Sequence, residues 1–258
     1  RNTALTATFD GATTRGDTVE TDMTDAERTI RNESVAATVT VPGAATRLVV
    51  SVNGLVKGTY PVASGKAQVS IAAADLRTGE RNFVGFTATD DAGGILARNA
   101  ALLTCNLPEK IDEADEPEAK GVTIAWLDAA RAAILAADPE AAVDQPNTYA
   151  QYAAFAKAAS PVGKRVNGAN VPLVYDWVAG TDPADKDDVF TAEITMDENG
   201  VPVIGWKPES CPYGARSYLL WGASDLNGPW ASTDAQKPAD GFRESHSFFR
   251  VEVDVPAK

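Results

Sequence analysis

Arg47-Leu48-Val49-Val50-Ser51-Val52-Asn53-Gly54-Leu55-Val56-Lys57-Gly58-Thr59-Tyr60 sets two short β-forming runs on either side of Asn53-Gly54. Asn and Gly both tolerate the positive φ that a type I′ turn demands, and that turn matches the twist of two paired strands. The stretch therefore reads as a β-hairpin. Runs of the same kind lie to both sides of it: Ala4 to Phe9 closed by Asp10-Gly11, and Val35 to Val41 broken by Pro42-Gly43. Ala67 to Ile71, Asn82 to Thr89 and Ile95 to Leu103 follow, the last two joined by Asp90-Asp91-Ala92-Gly93-Gly94. Seven or so strands in about 108 residues is the count of an immunoglobulin-like β-sandwich, although the Cys-Trp-Cys core of antibody domains is absent. Ala12 to Asn32 is polar and reads as a long loop.

Beyond this first domain (1–108), residues 109–120 carry Glu109, Asp112, Glu113, Asp115, Glu116 and Glu118 with Pro108 and Pro117. Few apolar groups and many like charges predict an extended acidic linker. The composition then changes. Ile124, Leu127, Arg131, Ile134 and Leu135 recur at helical spacing until Asp138-Pro139, and Arg131 would pack its stem with its head at the edge. Tyr149, Tyr152, Ala153 and Ala156 mark a second helix that Ser160-Pro161 ends, and Val171 to Val178 a third. Gly180 supplies the conformational freedom a helix end needs, and Pro183 prevents resumption.

Phe190 to Met196 and Val201 to Trp206 flank Asp197-Glu198-Asn199-Gly200 as another hairpin, followed by strands at Arg216 to Gly222 and Ser247 to Val255. Helices this short and alanine-rich are marginal alone, so they are expected to pack on this sheet, with Trp177 as the anchor. The whole reads as mainly β with a helical insert: an N-terminal sandwich, then a C-terminal domain (121–258) of short helices packed on a small antiparallel sheet. All five tryptophans fall after the linker. Most serve as the aromatic core of a small domain; Trp221 and Trp230 are the candidates for stacking on sugar rings.

The ordered series Ile124-Ala125-Trp126-Leu127-Asp128, Trp177-Val178-Ala179-Gly180-Thr181-Asp182-Pro183-Ala184-Asp185, the Val-Pro-Val-Ile-Gly-Trp strand at 201–206, Tyr218 to Leu226, Trp230 and Phe248-Phe249-Arg250-Val251 resembles a C-terminal module found at the ends of large secreted or surface bacterial proteins. The resemblance covers roughly residues 121–256. It implies an extracellular, non-enzymatic end domain. The Ala-Gly-Thr-Asp-Pro piece also resembles the end of thrombospondin type 3 and dockerin-like calcium loops, which place acids at alternating positions because Ca²⁺ takes six to eight hard oxygens. Counted back from Asp176, such a loop has Arg165 at its first position, Asn167 at its third and Ala169 at its fifth, so its acids are missing. A separate cation site is drawn on Asp182, Asp185, Asp187 and Asp188, with calcium as the one cofactor considered.

Cys105 and Cys211, one in each half, fit no zinc spacing. They are read either as an inter-domain disulfide of an oxidising compartment or as two unrelated buried thiols. The chain has 258 residues and a formal charge of −13, which argues against nucleic acid and against anionic membrane surfaces as partners. No apolar run of about 18 residues is present to span a bilayer. The chain begins at Arg1 and not at Met, which suggests a piece of a longer parent. Arg15-Gly16-Asp17 and Asn32-Glu33-Ser34 match short adhesion and glycosylation patterns whose information content is small. His246 is the only histidine, and no nucleophile elbow, P-loop, dinucleotide fingerprint or HExxH occurs. The expectation is a non-enzymatic, secreted or surface-exposed structural or adhesive module whose partners are other copies or surface proteins. Its alternative is a carbohydrate-binding module.

Overall fold

Alternating burial builds the first part of the chain. In the computed structural model, which describes residues 5–15, 23–162, 165–166, 169–200, 202–233 and 248–254, the strands are β1 (Thr6–Phe9), β2 (Thr13–Thr14), β3 (Thr24–Thr29), β4 (Val35–Thr40), β5 (Arg47–Val52), β6 (Leu55–Pro61), β7 (Lys66–Ile71), β8 (Arg81–Thr89) and β9 (Ile95–Asn106). Two sheets result, β1-β4-β7 and β2-β3-β9-β8-β5-β6. Leu48, Val50 and Val52, together with Val84, Phe86 and Ala88, point from the larger sheet into one core shared with Ala37, Val39, Val69 and Ile71. Each large apolar side chain fully buried there contributes roughly 1.5–3 kcal/mol of transfer free energy. This is a β-sandwich, as expected. The Asn53-Gly54 turn has φ of +51° and +85°. Asn53 Nδ2 donates to Asn82 Oδ1 (2.9 Å), while buried Asn82 donates to the Arg77 and Leu103 carbonyls (2.9 and 3.2 Å). That network ties the hairpin tip to β8 and β9.

Two expectations change. The polar stretch 12–32 is not all loop, because it holds β2 and β3, and β3 pairs in parallel with β9. Its sequence hides the strand, since of Thr24-Asp25-Ala26-Glu27-Arg28-Thr29 only Ala26 joins the apolar core. Residues 109–120 are not extended either. Ile111 N–H donates to the Val122 carbonyl (2.9 Å), and Gly121, at φ +77°, donates back to the Ile111 carbonyl (2.9 Å). Ile111, Ala119 and Val122 are fully buried, so three apolar anchors fold this acidic segment into a closed loop. Two ion pairs, Glu116 with Lys157 (2.6 Å) and Glu113 with Lys120 (3.6 Å), offset part of its charge repulsion.

The chain divides into two compact units, Arg1–Glu109 with Gln145–Tyr152, and Lys110–Asp144 with Ala153–Lys258. After the closed loop come α1 (Ile124–Ala137), α2 (Tyr149–Lys157), a small hairpin of β10 (Arg165–Val166) and β11 (Ala169–Asn170), and α3 (Leu173–Ala179). Thr123 caps α1 by accepting from the Trp126 N–H (3.2 Å), and Arg131 Nε reaches the Asp144 carbonyl (3.1 Å). The last strands are β12 (Thr191–Met196), β13 (Pro202–Lys207), β14 (Ser217–Ala223), β15 (Ala231–Thr233) and β16 (Phe248–Asp254). The single small sheet expected here is two: a β12-β13 hairpin and a β15-β14-β16 sheet. Ile204 of the hairpin and Leu220 of the sheet form a shared core with Phe249 and Val251 against it.

The end of α3 is a dense junction. Gly180 adopts φ +78°, and its N–H and that of Thr181 both bond to the Asp176 carbonyl (2.8 and 3.1 Å). The next two carbonyls, which a helix end leaves orphaned, are taken by Arg216: Nη2 to Trp177 (2.6 Å) and Nε to Val178 (2.9 Å). The Arg216 guanidinium also covers the Trp177 ring at 5.0 Å. Trp177 stacks on Tyr213 (5.5 Å) and meets Trp126 edge-on (5.4 Å). The helix thus lies against β16, as the sequence reading has it, and its Trp177 ring is held by Trp126 of α1 and by Tyr213 and Arg216 ahead of β14.

Candidate functional site

Alternation along β14 and β16 decides what this sheet shows outward. Tyr218 and Leu220 are buried; Leu219 and Trp221 take the other face, and so do Phe248, Arg250 and Glu252 of β16. The antiparallel register sets Trp221 opposite Arg250 and Leu219 opposite Glu252. After β14 a turn held by Asp225, whose carbonyl accepts from Gly228 N–H (3.0 Å) and whose Oδ1 accepts from Asn227 N–H (2.9 Å), sends the chain back into β15. Trp230 lies just ahead of that strand. Its ring then faces the same guanidinium as Trp221 does.

The Arg250 guanidinium carbon sits 5.0 Å from the Trp221 ring centroid and 5.4 Å from that of Trp230. Each such contact is worth about 0.5–1 kcal/mol at an exposed site. Trp221 Nε1 donates to Glu252 Oε2 (2.9 Å), which fixes the indole in plane. Arg250 itself is exposed, and among the described residues it makes cation–π contacts but no hydrogen bond or ion pair. A guanidinium carries five N–H donors in a fixed fork, so this one offers its donors outward from between two indoles.

The sequence singled out Trp221 and Trp230, and the structure brings them to one guanidinium. It missed Arg250 and Glu252. Clean alternation after Phe248 was the available signal that both face outward, but their pairing with Trp221 depends on register, which no local pattern shows. Both indoles are half-buried, so they are not the freely exposed platforms of a simple sugar-stacking face.

The four acids of the proposed cation site do not converge. Asp188 Oδ2 accepts from Asp182 N–H (2.6 Å), Asp182 Oδ1 from Ala184 N–H (2.9 Å) and Asp185 Oδ1 from Asp187 N–H (2.9 Å). These oxygens cap turns, and among the described residues no group of three or more acids, histidines or cysteines is placed to hold a metal. Asp176, last in the calcium-loop count, is buried and accepts from Thr181 Oγ1 (2.7 Å). Arg165 belongs to β10, and Asn167 lies outside the described residues.

Cys105 and Cys211, one in each compact unit, are both free thiols. Cys105 is sealed in the sandwich core, where burial pushes its thiol up to about 11. Cys211 lies beside Gly180, its Sγ accepting from Tyr213 N–H (3.4 Å). Tyr218 is also raised, chiefly by burial. Of Arg15-Gly16-Asp17 only Arg15 is described, and it pairs with Glu27. His246 lies outside the described residues. No helix among them is long and apolar enough to cross a membrane.

No protein-family model matches the chain, and no curated protein matches it. Among solved structures, it is similar to the fibronectin(III)-like modules of Clostridium thermocellum CbhA at 16% identity, over 34% of this chain and 93% of that one, with a TM-score of 0.27.

Proposed function

We propose that this chain is a non-enzymatic structural and adhesive module of a secreted or cell-surface bacterial protein, with an immunoglobulin-like sandwich followed by an end domain. It associates with other copies, or with surface proteins, through strand edges. One observation carries this reading: all six residues of β12 are exposed, with Ile194 at 56% and Met196 at 68%. Edge strands of soluble proteins are commonly blunted by Lys, Pro or a bulge. Strand β12 has an unbroken register with β13, and its one charge, Glu193, pairs with Lys207 (3.6 Å). In the sandwich, Leu55 and Val56 of β6, the last strand in its sheet, are comparably exposed.

Light scattering across a concentration series tests the reading. Association that weakens in Ile194→Lys supports it, and a strict monomer at the highest attainable concentration removes the self-association. A carbohydrate-binding module is the second reading, favoured by the Trp221–Arg250–Trp230 arrangement.

A further inference from the structure

Resting on that second reading, we infer that the outer face of β14 and β16 binds sugars bearing a carboxylate, with Arg250 as the group that recognises it. The argument starts from what Arg250 does not do. An arginine with a structural role spends its donors on carbonyls or carboxylates of its own chain, whereas Arg250 touches only the two indoles among the described residues. Those contacts hold the guanidinium beside the two indoles and, among the described residues, leave its N–H donors without a partner. A planar fork held in place before binding loses less entropy when a planar carboxylate accepts two parallel hydrogen bonds from it.

The surroundings select the rest of the ligand. Trp221 and Trp230 flank the cation with aromatic surface suited to the C–H faces of a pyranose ring. Glu252, which already accepts from Trp221 Nε1, keeps lone pairs for sugar hydroxyl donors and disfavours a second carboxylate nearby. The ligand class is therefore a glycan with isolated uronic-acid carboxyls and free hydroxyls, more than a phosphate-dense polymer. The net charge of −13 makes long-range attraction of a polyanion unfavourable, so recognition has to be short-ranged at the fork itself.

The test is isothermal titration of the full chain with a short oligosaccharide carrying one uronic acid, with its methyl ester, with a neutral oligosaccharide of the same length, and with a peptide ending in a free carboxylate. The expected result is binding of the singly acidic oligosaccharide, at least tenfold weaker for the methyl ester and in Arg250→Gln, the loss that removing charge-assisted hydrogen bonds gives. Arg250→Lys keeps the charge but not the fork, and should recover only part of the affinity. Circular dichroism checks that each variant folds; if Arg250→Gln does not, the acid-to-ester ratio on the unaltered protein still decides. Equal affinity for acid, ester and neutral sugar overturns the carboxylate assignment while leaving carbohydrate binding standing. No binding of any sugar overturns both, and binding of the peptide alone overturns the glycan class.

Discussion

Replacing Gly180 by alanine should destabilise the second unit by about 2–5 kcal/mol, from two separable causes. The first is conformational. Gly180 sits at φ +78°, where a Cβ costs roughly 1–2 kcal/mol. The second is space: an ideal Cβ there would lie 2.9 Å from Cys211 Cα and 3.0 Å from its Cβ and Sγ. Because the nearest atom is backbone, relief requires a shift of the chain, and overpacking of this kind costs about 1–3 kcal/mol. Gly200 provides the control. It has φ +75° in the β12-β13 turn with nothing within 4 Å of its Cβ position, so Gly200→Ala should show the conformational cost alone. The assay is denaturant unfolding followed by tryptophan fluorescence. All five tryptophans, Trp126, Trp177, Trp206, Trp221 and Trp230, belong to the unit under test, so the signal reports that unit. Cys211→Ala in the Gly180→Ala background should recover only part of the loss, since it removes Sγ but not Cα. If Gly180→Ala costs no more than Gly200→Ala, the close approach to Cys211 is wrong.

Arg216→Met should cost about 2–3 kcal/mol, because it leaves the Trp177 and Val178 carbonyls without their charged donors; near-ultraviolet circular dichroism should show the Trp126–Trp177–Tyr213 cluster loosening. A thiol reagent at pH 8 should label Cys211 in the native protein and Cys105 only after unfolding, since Cys105 is buried and pushed up to about 11. If neither thiol reacts in denaturant until reductant is added, the two are paired after all. Glu27 is held below its ordinary value by hydrogen bonds from Arg15 and then Asn106, so it contributes stability that is present above the usual glutamate value of about 4.3 and lost as pH falls through the lower folded one. The advantage of the unaltered chain over Glu27→Gln, read as a difference in thermal midpoint by circular dichroism, should hold from neutral pH to about 5 and shrink below about 4.3; an advantage independent of pH would contradict it.

Local chemistry that a strand or helix needs was readable from the residues, and tertiary requirements were not. The β5-β6 hairpin announces itself because its turn requires two residues of positive φ and Asn53-Gly54 supplies them. Gly180 likewise marks the end of α3. Strand β3 was invisible because it contributes one small side chain, Ala26, to the apolar core and carries polar or charged residues at its other positions, buried Asp25 among them, so its period-two signal is polar on polar. The segment around Ile111, Ala119 and Val122 was misread for the opposite reason: three widely spaced apolar anchors fix the loop, while the acids between them dominate its composition. The Asp182–Asp188 acids look like ligands in a string of letters, yet Asx turns use the same residues for backbone N–H groups at the same short spacings.

Arg216 and Arg250 show what sequence alone cannot separate. Each places its guanidinium over a tryptophan at 5.0 Å. Arg216 then donates to Trp177 and Val178 carbonyls at a helix end, where the exposed carbonyls and the negative end of the helix dipole demand a cation. Its donors are committed, and losing them unfolds a junction. Arg250 lies on an outward sheet face and among the described residues makes no hydrogen bond, so the same kind of cation–π contact holds it in place without satisfying its donors. Mutation should therefore separate the two: Arg216 variants lose stability, whereas Arg250→Gln forfeits only the two exposed cation–π contacts, about 1–2 kcal/mol together. Stability falling as far in Arg250→Gln as in Arg216→Met would mean the outer ladder is structural, and the carboxylate site would lose its basis.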